Sequence, residues 1–147
     1  MDDSPKNTTA TILLVDDNHD GLSARKHVLS ELGYRILTAS SAKAALELFP
    51  REAVDLVVTD YKMPDMSGIE LIQKLRAVRA GVPIVLISGF VNVLGLDEHT
   101  TGADMVMMKN ATEVPILVRS VQRLLNRKPR KPVGTQRSEL RAKKKTV

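Results

Sequence analysis

The sequence predicts an α/β fold in which an open parallel sheet carries helices on both faces. Five short apolar runs rich in β-branched residues alternate, over residues 11–126, with segments of helical period. Several runs are continuous rather than alternating, as strands covered on both faces require. The helical segments also carry their own start and stop residues. Strands and helices alternating in this way give right-handed βαβ units.

The predicted strands are Ile12–Val15, Arg35–Ala39, Leu56–Thr59, Pro83–Ile87 and Met105–Met108. The first helix is expected over His19–Leu32, stopped by Gly33, which suits the left-handed position beyond a helix end. An Ala-rich second helix follows over Ser41–Phe49. Ser67 with Glu70 three residues on makes a capping-box signature for the third, whose predicted apolar stripe is Ile69, Ile72, Leu75 and Val78. The fourth segment, Val91–Thr101, contains Gly95 and β-branched residues and is expected to be short or irregular. Thr112 is the expected cap of the last helix, with Pro115 tolerated in its first turn. Val114, Leu117, Val118, Val121, Leu124 and Leu125 fall on one face of that helix.

Composition narrows the function. A chain of 147 residues that is 43% hydrophobic can bury one real core. With no Cys, a disulfide scaffold, a thiolate metal site and a Cys nucleophile are excluded. The N-terminal MDDSPKNTTA is polar and acidic, unlike a signal peptide, and no apolar run reaches the roughly 20 residues of a membrane helix. A soluble, cytoplasmic protein is expected. The net charge of +5 is unevenly spread: residues 127–147 hold nine Lys or Arg and one Glu, a net of +8, which leaves −3 for residues 1–126. The expected organisation is a disordered stretch at 1–10, a folded domain at 11–126 and a basic, disordered tail at 127–147.

In an open α/β sheet, ligands bind beyond the carboxyl ends of the strands. Asp16 and Asp17 follow the first strand, Asp60 the third, Ser88 the fourth and Lys109 the fifth. Taken singly, each has a plain reading as a loop, turn or solvated residue. Together they place three carboxylates at one edge, where they repel unless a cation neutralises them. A hard divalent ion such as Mg2+, which takes oxygen ligands at about 2.0–2.1 Å and retains waters, is the economical solution. It leaves room for phosphate oxygens, which a lysine ammonium and a serine hydroxyl complete.

These residues carry a family resemblance. Ile12 to Asp17 (ILLVDD), Val58 to Gly68 (VTDYKMPDMSG) with its D-x-x-M-P-x-M-x-G pattern, the pair Ser88-Gly89, and Lys109 occur in order. Residues 10–126 thereby resemble the receiver domain of bacterial two-component response regulators. The resemblance implies a flavodoxin-like (βα)5 sheet of order 2-1-3-4-5. It implies that Asp60 is the phosphoacceptor, charged from a sensor histidine kinase or a histidine phosphotransfer protein. Mg2+, or Mn2+ in its place, would be held by Asp17, Asp60 and the backbone carbonyl of Lys62, with Asp16 acting through water. Lys109 would bind a phosphoryl oxygen and Ser88 would hydrogen-bond the transferred group.

Three features depart from the family pattern. Asn110 stands after Lys109 where proline is usual, and a trans bond is expected there because a cis bond before a non-proline residue costs about 2.5–4 kcal/mol. Val106 occupies the aromatic switch position, and the fourth helix is weak. These departures bear on the output step. Lys62 and Phe90 occupy positions that flank the path of hydrolytic water in the family, and a bulky Phe90 is expected to prolong the phosphorylated state.

The expected protein is a stand-alone receiver, not an enzyme with a separate substrate, that promotes its own phosphorylation and dephosphorylation and acts through a downstream protein partner. The alternatives are a degenerate receiver serving as a docking module, and attachment to nucleic acid through 127–147. No aromatic residue in that tail could stack on bases. A flavodoxin-type carrier is disfavoured because Asp16 and Asp17 would repel a flavin phosphate. A haloacid-dehalogenase-type phosphatase separates its first two acids by one residue, whereas these are adjacent.

Overall fold

A computed structural model describes residues 10–89, 91–110 and 112–127, with the backbone alone at 92 and 93. Apart from Ala10 and Arg127, the expected terminal stretches at 1–10 and 127–147 lie outside the described residues, as does Phe90.

The chain runs β1 (Thr11–Val15), α1 (His19–Glu31), β2 (Arg35–Ala39), α2 (Ala42–Leu48), a 3-10 turn (Phe49–Arg51), β3 (Leu56–Asp60), α3 (Gly68–Val78), β4 (Ile84–Ser88), α4 (Val91–Leu94), α5 (Glu98–Thr101), β5 (Met105–Met108) and α6 (Glu113–Asn126). The five strands form one parallel sheet in the order β2-β1-β3-β4-β5, the doubly wound arrangement expected. β1, β3 and β4 are buried along their whole length, which is why they read as unbroken apolar runs.

Alternation along each strand divides the core in two. Leu13, Val15, Val57, Ile84 and Leu86 face α2 and α3, where they meet Ala42, Ala45, Phe49, Leu71, Ile72 and Leu75. Ile12, Leu14, Val58, Val85 and Ile87 face α1 and α6, where they meet Leu22, Leu29, Leu117, Val121 and Leu124. The register pairs Val15 with Thr59, Asp60 with Ile87 and Ser88 with Met108, so the carboxyl ends of β1, β3, β4 and β5 finish level. That levelling positions the site.

Several helix ends follow their sequence signals. Gly33 has φ 98°, and the amides of Gly33 and Tyr34 close the end of α1 on Ser30 and Leu29. The Ser67 side chain accepts from the Glu70 amide, the forward half of the expected box. The fourth segment is divided into two four-residue helices flanking Gly95, as its poor propensity predicts.

Two expectations are corrected. The buried face of α3 is Leu71, Ile72 and Leu75, while Val78, the last residue of the helix, is half exposed because no further turn follows to cover it. Thr112 does not cap α6 through its side chain. Instead Asn110 Oδ1 accepts from both the Thr112 amide and the Thr112 hydroxyl, so the hydroxyl is turned away from the helix. Among the described residues no peptide is cis, Lys109–Asn110 included, and no helix is long and apolar enough to cross a membrane.

Candidate functional site

The site is built by the ends of four parallel strands. Asp60 is the last residue of β3 and Ser88 the last of β4, while Asp16 and Lys109 directly follow β1 and β5. Backbone hydrogen bonds tie these ends together: the Asp16 amide donates to Ala39, Tyr61 to Ile87 and Lys109 to Ser88. Asp60, Lys62, Ser88, Gly89 and Lys109 line one cleft of about 360 Å³. Every strand-end residue singled out from the sequence, Asp16, Asp17, Asp60, Ser88 and Lys109, is brought to one edge, while Phe90, expected beside the path of hydrolytic water, lies outside the described residues.

Asp16 and Asp60 are buried and Asp17 is exposed. One carboxylate oxygen from each of the three lies within 4.8 Å of the others. Such an all-oxygen donor set, half sunk in the sheet edge and open on the Asp17 side, fits a hard divalent cation of the Mg2+ kind. It offers no soft ligand for a thiophilic metal.

Asp60 is also held from the β5 side, where the Lys109 ammonium sits 2.8 Å from its Oδ1. Burial raises the Asp60 pKa above the ordinary carboxylate value. The hydrogen bond from Lys109 opposes this, the neighbouring Asp16 charge adds to it, and the net direction stays upward. An unprotonated Asp60 is thus a poorly solvated anion, a condition that favours attack on an electrophile.

The loop after Asp60 is fixed by close approach. The Gly68 amide donates to the Tyr61 carbonyl at 2.6 Å. A Cβ on Gly68 would lie 2.5 Å from the Asp60 carbonyl oxygen and 2.7 Å from Leu86 Cδ1, so only glycine lets α3 start this near the strand end. Asp65, in the same loop, accepts from the Ala42 and Lys43 amides at the start of α2. Those amide bonds, that of Lys43 foremost, hold the Asp65 pKa below the usual carboxylate range.

Sequence reading missed one charged member of the site. Arg25, on α1, is 5% exposed and pairs with Asp16 Oδ2 at 2.7 Å and with Glu113 Oε2 at 2.6 Å. A single arginine in a helical pattern reads as a solvated residue. Its spacing from Leu22 and Leu29, three and four residues away on the buried stripe, was the available signal. On the far side of the sheet, Val106 packs partly buried against the core, and its amide donates to Glu98 Oε2 at 3.2 Å, which closes part of the exposed edge of β5.

Comparisons agree with this geometry. The family model described as response regulator receiver domain matches residues 12–122. Among curated proteins, the virulence sensor protein BvgS of Bordetella pertussis is 34% identical over 123 residues, covering 78% of this chain and 10% of its own. The alkaline phosphatase synthesis transcriptional regulatory protein PhoP of Bacillus subtilis is 34% identical over 118 residues, covering 76% of this chain and 48% of its own. The chain thus spans about a tenth of the first relative and about half of the second. Among solved structures, the response regulator protein TrrA of Thermotoga maritima, in complex with Mg2+-BeF, aligns with a TM-score of 0.72 at 30% identity, over 79% of this chain and 99% of its own.

Proposed function

The chain belongs to the response regulator receiver domain family, and from that premise we propose that it accepts a phosphoryl group on Asp60 from a phosphorylated histidine. The observation that carries the reading is the arrangement around Asp60: a buried carboxylate at a strand end, two further carboxylates within 4.8 Å, and the Lys109 ammonium 2.8 Å away.

An ionised Asp60 oxygen attacks phosphorus, the P–N bond to the donor histidine breaks, and the imidazole leaves with the bonding pair and is reprotonated. The product on this chain is an aspartyl phosphate. Lys109 is placed to pass from the carboxylate to an oxygen of the incoming group, holding charge where it spreads in a loose in-line transition state. Ser88 lines the same cleft and is the hydroxyl that bonds the phosphoryl group once attached. Asp17, Asp60 and the Lys62 carbonyl, with Asp16 through water, would hold a divalent cation, which when bound would supply charge neutralisation for the phosphoryl oxygens. Mg2+ is assigned that role, and Mn2+ has the ligand preferences to replace it. The Lys62 side chain borders the opening through which hydrolytic water enters, so it sets the lifetime of the acyl phosphate together with Phe90.

The chain turns over no separate substrate in this reading. It speeds its own phosphorylation and dephosphorylation and signals by its state to a protein partner. The donor is a sensor histidine kinase or a histidine phosphotransfer protein, which accords with receiver sequences found within proteins such as BvgS. The test is incubation with Mg2+ and acetyl phosphate followed by intact mass. One added phosphoryl group, absent without Mg2+ and absent from Asp60→Asn, is expected. A wild-type protein that takes up none is instead a docking module.

A further inference from the structure

We propose that Arg25 is a resident cation of the acidic pocket, competing with the divalent ion for Asp16 and linking the state of the pocket to the first residue of α6. Arg25 falls where α1 otherwise presents Leu22 and Leu29 to the core, and it is 5% exposed. A guanidinium buried there is costly unless fully paired. It is paired twice, to Asp16 Oδ2 at 2.7 Å through Nη1 and to Glu113 Oε2 at 2.6 Å through Nε.

Room for the first pair is provided one turn earlier. A Cβ on Gly21 would come within 3.2 Å of Asp16 Oδ2 and 3.7 Å of Arg25 Nη1. Asp16 Oδ1 accepts from the Asn18 amide at 2.9 Å, so both oxygens of Asp16 are engaged without a metal. Asp16 is 1% exposed and so receives little solvent screening. Its charge is already offset when a divalent ion arrives, and that ion meets a fixed positive charge one side chain away.

Arg25 and its partner Glu113 consequently have opposite effects on the ion. Removing the guanidinium returns the full charge of Asp16 to the pocket and leaves Glu113 close by, which strengthens binding. Removing the charge of Glu113 leaves Arg25 to Asp16 alone and weakens it. An ion that draws on Asp16 loosens the Arg25–Asp16 bond and leaves the guanidinium to Glu113, so occupancy is felt at the start of α6. The effect of metal is then delivered through α1 and α6, on the opposite face of the sheet from Val106.

This inference rests on the pocket being a cation site, and the experiment separates the two claims. The dissociation constant for Mn2+ is measured with the full chain by the EPR signal of free Mn2+, for wild type, Arg25→Gln and Glu113→Gln, with folding checked by circular dichroism. Arg25→Gln is expected to bind Mn2+ on the order of tenfold more tightly than wild type, and Glu113→Gln several-fold more weakly. A merely structural pair predicts that both variants bind equally or more weakly. Arg25→Gln binding no more tightly than wild type, or Glu113→Gln binding no more weakly, overturns the inference while the cation site stands. Should Arg25→Gln not fold, Arg25→Met, which keeps an unbranched stem between Leu22 and Leu29, takes its place: tighter Mn2+ binding is again expected, and binding no tighter than wild type overturns the inference. A wild type that binds no Mn2+ overturns both claims.

Discussion

Asp60 is held in an environment that opposes its own ionisation. Burial raises its pKa, the Lys109 hydrogen bond lowers it, the Asp16 charge raises it, and the net shift is upward. The folded value therefore exceeds the unfolded one, so the ionised side chain penalises folding at neutral pH. That penalty shrinks as pH falls through the folded pKa and is gone below the unfolded value, about pH 4. Asp60→Asn removes the charge without changing the shape. In EDTA at pH 7 the variant is expected to melt a few degrees above wild type. The difference should close as pH is lowered towards 4, and a gap that stays constant with pH would assign the effect to packing. Arg25 behaves differently: burial alone would lower its pKa, but its bonds to Glu113 and Asp16 outweigh this and hold it above its ordinary value, so it stays charged across the usable range.

At the scale of elements, α3 holds the loop after Asp60 in place through Gly68. Its Cβ position is filled by the Asp60 carbonyl and Leu86, so Gly68→Ala must push the helix start away from β3. A loss of about 1–3 kcal/mol in urea unfolding is expected, with slower phosphorylation because the Asp60–Tyr61 backbone moves too. An unchanged urea midpoint would show that the loop yields freely. The rest of α3 is tied to the sheet by Arg76, which donates to the carbonyls of Ala80, Val82 and Gly102 and to Asp104. Asp104 in turn accepts from the Ile84 amide, so the entries to β4 and β5 share one anchor.

Elements with local punctuation were legible from the sequence, and those set by tertiary context were not. Gly33 and Ser67 mark their helix ends by their own chemistry, and the weak propensity of 91–101 becomes two short helices. The second of these starts on a complete capping box between Asp97 and Thr100, which a search for glutamate or glutamine at the third position passes over. Thr112 looked like a cap, but the competing acceptor Asn110 lies two residues away and takes its hydroxyl. Val78 fits the helical period of α3, yet only the position of the sheet decides that Leu71 replaces it in the core.

For the whole molecule, the same division holds at the site. Asp16, Asp17, Asp60, Ser88 and Lys109 could be read because a parallel sheet delivers strand ends to one edge, and chain order alone tells which residues end strands. Arg25 and Glu113 are 88 positions apart and meet only because α1 and α6 cover the same face. No local pattern encodes that meeting.

The acidic pocket lies within residues 1–126, whose net charge is −3, while residues 127–147 carry +8. The most direct measurement locates the phosphoryl group itself. The chain is treated with Mg2+ and acetyl phosphate, reduced with borohydride, which converts an aspartyl phosphate to homoserine, and digested for peptide mass spectrometry. Homoserine at position 60 and at no other aspartate is expected. Homoserine at position 16 or 17, or at none, would contradict the assignment of Asp60 as the phosphoacceptor.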